Sequence, residues 1–295
     1  MKRNKQILIF FLLIILLSIF VFTIDTTPLT AVSLLIVCSA ILTYIFNAIT
    51  KEYSWTDRLW STLPIVIAWL YFYKSKNQML LITASLITIW GIRLTFNFAR
   101  KGGYSDKEDY RWSFLRKQIN SNFKQQLFSL FFIAFYQQFL FICFTLPLNL
   151  LNKTTKAPPL STYLFILISI VFLAIETVAD QQQWIFQESK YGKIPKRNKL
   201  ELDYKQGFLS TGLFSISRHP NYFGELGFWF SIYFICSSAV NEFLNWTIIG
   251  PILLTLLFVG SVIFTENISQ TKYEDYKTYK SKVSPIVPLF WKKYK

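Results

Sequence analysis

Apolar residues in this chain fall in long continuous runs separated by short, charged segments. A bilayer core about 30 Å thick needs roughly 20 apolar helical residues to cross it, with a usual range of about 17 to 25. Eight runs come close to that length: Ile7 to Ile24, Leu29 to Ile49, Leu59 to Tyr73, Met79 to Phe98, Leu127 to Leu151, Leu160 to Val178, Tyr222 to Val240 and Trp246 to Thr265. The third run is short and the fifth contains Pro147. The expected fold is all-α, a polytopic transmembrane bundle of about eight helices. Met-Lys-Arg-Asn-Lys before the first run is also the flank of a signal peptide. That run is long, however, and no small-residue cleavage motif follows Ile24, so it reads as an uncleaved anchor. Seven helices would remain if it were removed. Residues 1–50 thus form two anchor helices and 51–295 one membrane domain, with no internal repeat.

Charge gives this pattern an orientation. The 295 residues carry 31 Lys and Arg against 16 Asp and Glu, a net +15, and cytoplasmic loops are expected to be the basic ones. Lys2, Arg3 and Lys5 precede the first run, and Lys51 and Arg58 follow the second. The segments Arg100 to Lys124, Lys190 to Arg218 and Lys272 to Lys295 carry seven basic residues each. The opposite loops hold only Lys74, Lys76, Lys153 and Lys156. Both termini are therefore expected to be cytoplasmic. The basic excess is a matter of topology and does not point to nucleic acid as a partner. A chain that is 53% apolar and 19% aromatic, with a mean hydropathy of +0.35, is not a soluble globular domain. Cys38, Cys143 and Cys236 all lie inside apolar stretches, which excludes a disulfide framework and a zinc site. The bias toward Lys, Ile, Asn and Phe points to an AT-rich bacterial genome and an inner membrane.

Ionisable groups in or beside a membrane helix cost a few kcal/mol, so each is a candidate functional residue. Asp57 and Arg58 are expected to open the third helix, Arg93 to lie late in the fourth, Glu176 and Asp180 to end the sixth, Glu225 to lie early in the seventh and Glu266 to end the eighth. All then fall near the cytoplasmic ends of their helices, which suggests a polar pocket in that half of the bundle. Interfacial anchoring is the plainer alternative, weaker for Glu176 and Glu225 because short acidic side chains snorkel poorly. Glu176 and Asp180, like Asn221 and Glu225, are four residues apart and share a helix face. Paired acceptors suit a ribose diol or a carboxamide, whereas phosphates need donors and positive charge. Arg100, Arg218, His219 and the stretch Lys193 to Lys199 are the nearby donors.

The segment Gly212 to Glu225, Gly-Leu-Phe-Ser-Ile-Ser-Arg-His-Pro-Asn-Tyr-Phe-Gly-Glu, is the densest local signal. Pro220 marks the start of the seventh helix. Arg218 and His219 then lie just outside an N-terminus that favours anions. His219 reads as a general acid or, more plainly, as a hydrogen-bonding or anion-contacting group. Beyond Glu266, Tyr273, Tyr276 and Tyr279 recur every third residue as one helical stripe. It would be either an amphipathic surface helix or a lid contacting a nucleotide. No Gly-x-Gly-x-x-Gly, P-loop, His-Glu-x-x-His or Gly-x-Ser-x-Gly is present, so a nucleotide site here must be helical.

Taken in order, Tyr-Ser-Trp-Thr-Asp-Arg-Leu-Trp (53 to 60), Trp-Gly-Ile-Arg-Leu (90 to 94), Glu-Asp-Tyr-Arg (108 to 111), Glu176 with Asp180, Ser-Arg-His-Pro-Asn-Tyr-Phe-Gly-Glu (217 to 225), and Glu266 with Tyr276 and Tyr279 are specific. In these the chain resembles bacterial membrane proteins related to the C-terminal domain of steroid 5-alpha-reductases, from about Tyr53 to Pro288. The resemblance implies an NADPH-dependent reductase of a carbon-carbon double bond conjugated to a carbonyl in a lipid-like substrate, with the cofactor in the cytoplasmic half of the bundle. Carried over by position, Glu176, Asp180, Asn221, Glu225, Arg93 and the Tyr276 region look like cofactor contacts; Arg100, Arg218, His219, Tyr222, Glu266 and Tyr279 complete the expected cofactor-binding set, and no metal is implied. Steroid reductases polarise the substrate carbonyl with a Tyr and a Glu. Near those positions this sequence has Trp90 and Asp57, which makes Asp57 the expected substrate-polarising acid. Arg-His-Pro-x-Tyr is shared with membrane methyltransferases acting on isoprenylcysteine or phospholipids, so an S-adenosylmethionine-dependent methyltransferase is an alternative. A non-catalytic nucleotide-binding membrane protein is another.

Overall fold

The computed structural model describes residues 2–105, 108–119, 121–154, 157–291 and 294. Lys107 and Lys156, both counted among the loop charges, lie outside the described residues. Among those described there are helices and no strand, apart from one isolated parallel bridge, Ser217 to Ser284. Among the described residues six helices are long and apolar enough to cross a membrane: Arg3–Thr23, Pro28–Thr50, Gln78–Arg100, Asn122–Asn152, Leu160–Lys190 and Trp246–Lys272. The other two predicted runs also fold as helices, Leu63–Ser75 and Pro220–Ala239, the first of them only 13 residues long. The protein is an all-α, polytopic membrane bundle.

Its outward faces agree with that reading. In α1 (Lys2–Thr23), Leu8, Leu12 and Ile19 are more than half exposed, while Phe10, Ile14 and Val21 turn inward. A helix that is apolar on every side yet only partly buried by protein is matched to lipid rather than water.

The chain divides into two compact units, 1–162 with 233–253, and 163–232 with 254–295. The first unit contains α1, α2 (Pro28–Thr50), α3 (Trp55–Leu59), α4 (Leu63–Ser75), α5 (Gln78–Arg100), α6 (Tyr110–Gln118), α7 (Asn122–Phe128) and α8 (Gln137–Thr145). Local chemistry sets many of their ends. Thr27 caps α2 ahead of Pro28, and Asn77 caps α5 by accepting from Met79 N at 2.8 Å. Phe10, Phe46 and Trp55 form an aromatic knot, with centroids 4.8 to 5.0 Å apart. Ser39, Thr43 and Asn47 make a buried polar seam along α2. Gln138 of α8 joins it, accepting from Ser39 Oγ and donating to Thr43 Oγ1 at 2.7 Å, while Asn47 Nδ2 donates to Ser129 Oγ at 3.1 Å.

The second unit holds most of α9 (Leu160–Lys190), α10 (Glu201–Gln206), the first part of α11 (Pro220–Ala239), most of α12 (Ile249–Lys272) and α13 (Tyr276–Lys282). Ala179, Phe186, Leu200, Leu209 and Phe214 form one core cluster, and Phe208, Tyr276, Tyr279 and Val283 another.

Several expected boundaries are corrected. Asp57 and Arg58 do not open the third long helix but lie on the separate short α3, and α4 restarts at Leu63 with Pro64 in its first turn, where a missing N–H does no harm. The fifth run is α-helical only in part: Ser129–Tyr136 is a π-helix, and Pro147 coincides with a change to 3-10 geometry over Leu146–Lys153. Glu176 and Asp180 do not end their helix, because α9 continues through polar sequence to Lys190. Glu266 likewise lies short of the end of α12 at Lys272. In both cases apolarity stops before helicity does, since intrahelical hydrogen bonding continues wherever water can serve the side chains. Tyr273 falls outside α13, so the three-tyrosine stripe is not one helix.

Candidate functional site

Ten of the thirteen expected site residues fall in the second unit, and Asp57, Arg93 and Arg100 in the first. In the second unit α11 starts where Pro220 dictates, and the segment before it is held by the C-terminal tail. Arg218 N donates to Ser284 O at 2.8 Å, His219 N to Pro285 O at 3.0 Å, Ser217 Oγ to Ile286 O at 2.6 Å, and Leu289 N returns to Ile216 O at 3.1 Å. Three backbone donors and one hydroxyl thus join the two segments around a single isolated bridge.

Arg218 extends this clasp through its side chain. Its Nε donates to Glu266 Oε1 at 2.6 Å and Nη2 to Oε2 at 3.2 Å, while Nη1 donates to the carbonyls of Lys280, at 2.8 Å, and Val283. Those two carbonyls lie at the C-terminal end of α13, where helix acceptors lack intrahelical donors. Glu266 also meets His219 Nε2 at 3.2 Å and Lys280 Nζ at 3.2 Å. Two cations and the His219 ring thus converge on one carboxylate that is only 2% exposed. Arg218 and Glu266 serve each other and the tail, so the fold itself uses the guanidinium that the sequence offered to a phosphate.

His219 stacks on Tyr222 with centroids 5.2 Å apart, Tyr222 leans on Phe258, and its hydroxyl lies 3.3 Å from Ser261 Oγ. The hydrogen-bonding reading of His219 is the one this geometry displays. Tyr276 and Tyr279 are buried against Phe208, and the Tyr279 hydroxyl donates to Phe214 O at 2.5 Å. Burial pushes that hydroxyl well above the ordinary tyrosine range, so it keeps its proton and acts as a donor. These tyrosines are buried core residues of the tail fold.

The acidic residues are arranged differently. Glu176 and Asp180 share a face of α9, and Gly224 of α11 abuts Glu176 so closely that an added Cβ would lie 2.8 Å from its backbone nitrogen and 2.9 Å from its Cα. Gly227, one turn on, meets the ring of Phe172. The glycines let α9 and α11 approach, and Glu225 follows the contact residue directly. Glu176, Asp180 and Glu225 are all buried, at 1%, 6% and 7% exposure. Asn221, half-buried, begins the same helix.

In the first unit, Trp112 Nε1 donates to Asp57 Oδ2 at 2.7 Å. Burial pushes the Asp57 carboxyl above the usual carboxylate range, against the opposing pull of Arg111 and the hydrogen bonds from Trp112 and Ser54. Arg93 lies partly buried on α5. Arg100 reaches Asn97 Oδ1 from Nε at 3.0 Å and Nη2 at 2.7 Å and covers the Phe96 ring.

Other polar residues emerge only in three dimensions. Asp203, fully buried, accepts from Ser210 N, Ser210 Oγ and Thr211 Oγ1 at 2.6 to 2.7 Å and shapes the loop before Gly212. Glu52 pairs with Arg58 at 2.8 Å and with Arg3, and Glu108 with Arg116. Their partners are too far along the chain, or too irregularly spaced, for helix periodicity to announce them. Among the described residues no group of His, Cys, Asp and Glu could hold a metal ion.

A family model described as a protein of unknown function, DUF1295, matches residues 43–283. An uncharacterized protein of the fission yeast Schizosaccharomyces pombe, C594.04c, is 36% identical over 253 residues, covering 81% of this chain and 73% of its own. No solved structure matches.

Proposed function

We propose that this chain, which belongs to the DUF1295 family, is an integral membrane reductase that takes a hydride from NADPH and delivers it to a carbon-carbon double bond conjugated to a carbonyl in a lipid-like substrate. The observation that carries this reading is the burial of Glu176, Asp180 and Glu225 at the close approach of α9 and α11. Three acids in a buried setting and in a strongly basic chain are expensive unless they serve a ligand or an internal network. With Asn221 at the head of the same helix they supply acceptors suited to ribose hydroxyls and a carboxamide. The likeness of the ordered motifs to steroid 5-alpha-reductases supports the same cofactor.

The donor set fits a dinucleotide in part. Arg218 is matched to Glu266 and to tail carbonyls, so phosphates would fall to the exposed Lys196, Arg197 and Lys199. When bound, NADPH supplies the hydride, and Glu176, Asp180, Asn221 and Glu225 would hold its ribose and carboxamide groups. The Arg218–Glu266 pair and the tail keep the start of α11 in place. Asp57, whose raised pKa favours a proton at its carboxyl, is the proposed acid toward the substrate carbonyl oxygen. Residue bias supports a bacterial inner membrane, and the basic segments support cytoplasmic termini.

Titrating the detergent-purified protein with NADPH and, in parallel, S-adenosylmethionine tests the cofactor. A ligand at 100 times its Kd stabilises the fold by about 2.7 kcal/mol. We expect NADPH to raise the melting temperature of the wild type and not of Glu225→Ala. Stabilisation by S-adenosylmethionine instead would replace the reductase with a methyltransferase.

A further inference from the structure

Two consecutive glutamines, Gln137 and Gln138, are buried at 5% and 0% exposure where the π-helix Ser129–Tyr136 passes into α8. They have the same chemistry and opposite situations. Gln138 faces α2 and uses both ends of its amide, on Ser39 and Thr43. Gln137 Oε1 is buried with no hydrogen-bond donor among the described residues. A buried acceptor left without a donor is uncommon in native proteins and calls for a specific reason.

The surroundings of Gln137 follow from the contacts on either side of it. Four residues before it, the Ile133 carbonyl accepts from Thr56 Oγ1 at 2.9 Å. Four residues after it, the Phe141 ring meets Trp60 at 5.2 Å. Gln137 therefore lies on the face turned toward α3, between the levels of Thr56 and Trp60. Ile133 clusters with Tyr53 and Trp112, and Trp112 donates to Asp57, so the same face leads to the proposed acid. Extended π-helices are rare, and shorter π-bulges recur at functional sites. Here the wider turn precedes the residue whose Oε1 has no donor among the described residues, and a carbonyl within it accepts from Thr56.

We propose that Gln137 is a substrate-contacting residue of the first unit, accepting a hydrogen bond from a hydroxyl group of an otherwise apolar, long-chain ligand whose polar end lies beside Asp57. The ligand class follows from the unmet need: Oε1 lacks a donor among the described residues, and the residues one turn before and after Gln137, Ile133 and Phe141 with its neighbour Trp60, are predominantly apolar. A long-chain alcohol supplies one donor on an apolar body, whereas its methyl ether has the same shape and no donor. The inference rests on the lipid-like substrate of the proposed function, but it does not depend on NADPH.

The experiment uses the full chain in detergent with geranylgeraniol and geranylgeranyl methyl ether as probes, read by thermal unfolding. The alcohol should raise the melting temperature by about 2 °C or more, and the ether should not. Gln137→Leu should abolish the response to the alcohol while leaving the ligand-free melting temperature unchanged or higher, because it removes an unsatisfied acceptor. A purely structural glutamine would give the reverse, a lower ligand-free melting temperature with the response intact. That result, equal responses to alcohol and ether, or no response to the alcohol would overturn the proposal. Glu225→Ala should keep the alcohol response, so loss of NADPH binding and failure of this site are told apart.

Discussion

Asp57 and Asp109 answer to the same neighbouring arginine and move in opposite directions. At Asp57 burial outweighs the attraction of Arg111, and the carboxyl rises. At Asp109 burial also opposes the charge, but Arg111 makes an ion pair at 2.9 Å and a backbone hydrogen bond as well, and the carboxyl falls below its usual value. The difference decides which acid carries a proton, and it has a signature in stability. A carboxyl raised in the fold stabilises it most below the ordinary carboxylate pKa, and that contribution is lost as pH rises through the raised value. Asp57→Asn keeps an acceptor for Trp112 and removes the titration. The variant should therefore lose less stability than wild type as the pH rises above about 4, measured by denaturant unfolding. Its turnover should drop about 100-fold or more, the usual contribution of a general acid. Undiminished turnover would remove Asp57 from the chemistry. At this scale the sequence marked charged residues as unusual but not what they meet. Arg218 and Glu266 stood out as charges near membrane helices, yet their mutual pairing spans 48 residues, which no local spacing encodes. Asp203 left no mark at all, because its partners belong to a loop rather than to a helix face.

Among the elements, glycine placement says most about how the acidic site is built. Gly224 has helical backbone that any residue could adopt, so its role is proximity. A methyl group there would meet backbone atoms of Glu176, which cannot rotate away. Gly224→Ala should separate α9 from α11 and cost about 1 to 3 kcal/mol, the usual range for overpacking. NADPH-dependent stabilisation should weaken with it, since Glu176 and Glu225 flank the contact. An alanine variant as stable and as responsive as wild type would show that the approach is not needed. The start of α11 was legible because Pro220 acts through its own ring and the backbone beside it. The ends of α9 and α12 were not, because a membrane helix shows its apolar stretch in sequence and hides its polar continuation. The π-helix was invisible for a related reason: its apolar sequence reads the same at any helical pitch.

For the molecule as a whole, the membrane assignment was the most legible feature, since six helices among the described residues are long and apolar enough to cross a membrane and the exposed leucines and isoleucines of α1 suit a lipid solvent. Division into two compact units was not legible. The second unit is assembled from 163–232 and 254–295, and a segment that leaves a unit and returns leaves no trace in composition. Whether this molecule moves a hydride into a lipid, as proposed, is read by isotope transfer. The purified protein would be incubated with lipid extract, NADPH deuterated at the nicotinamide C4 and S-adenosylmethionine carrying a labelled methyl group, and the lipids followed by mass spectrometry. Deuterium is expected in a lipid product, absent with Glu225→Ala, with no transfer of the methyl label. Methyl label in the lipids without deuterium would contradict the proposal.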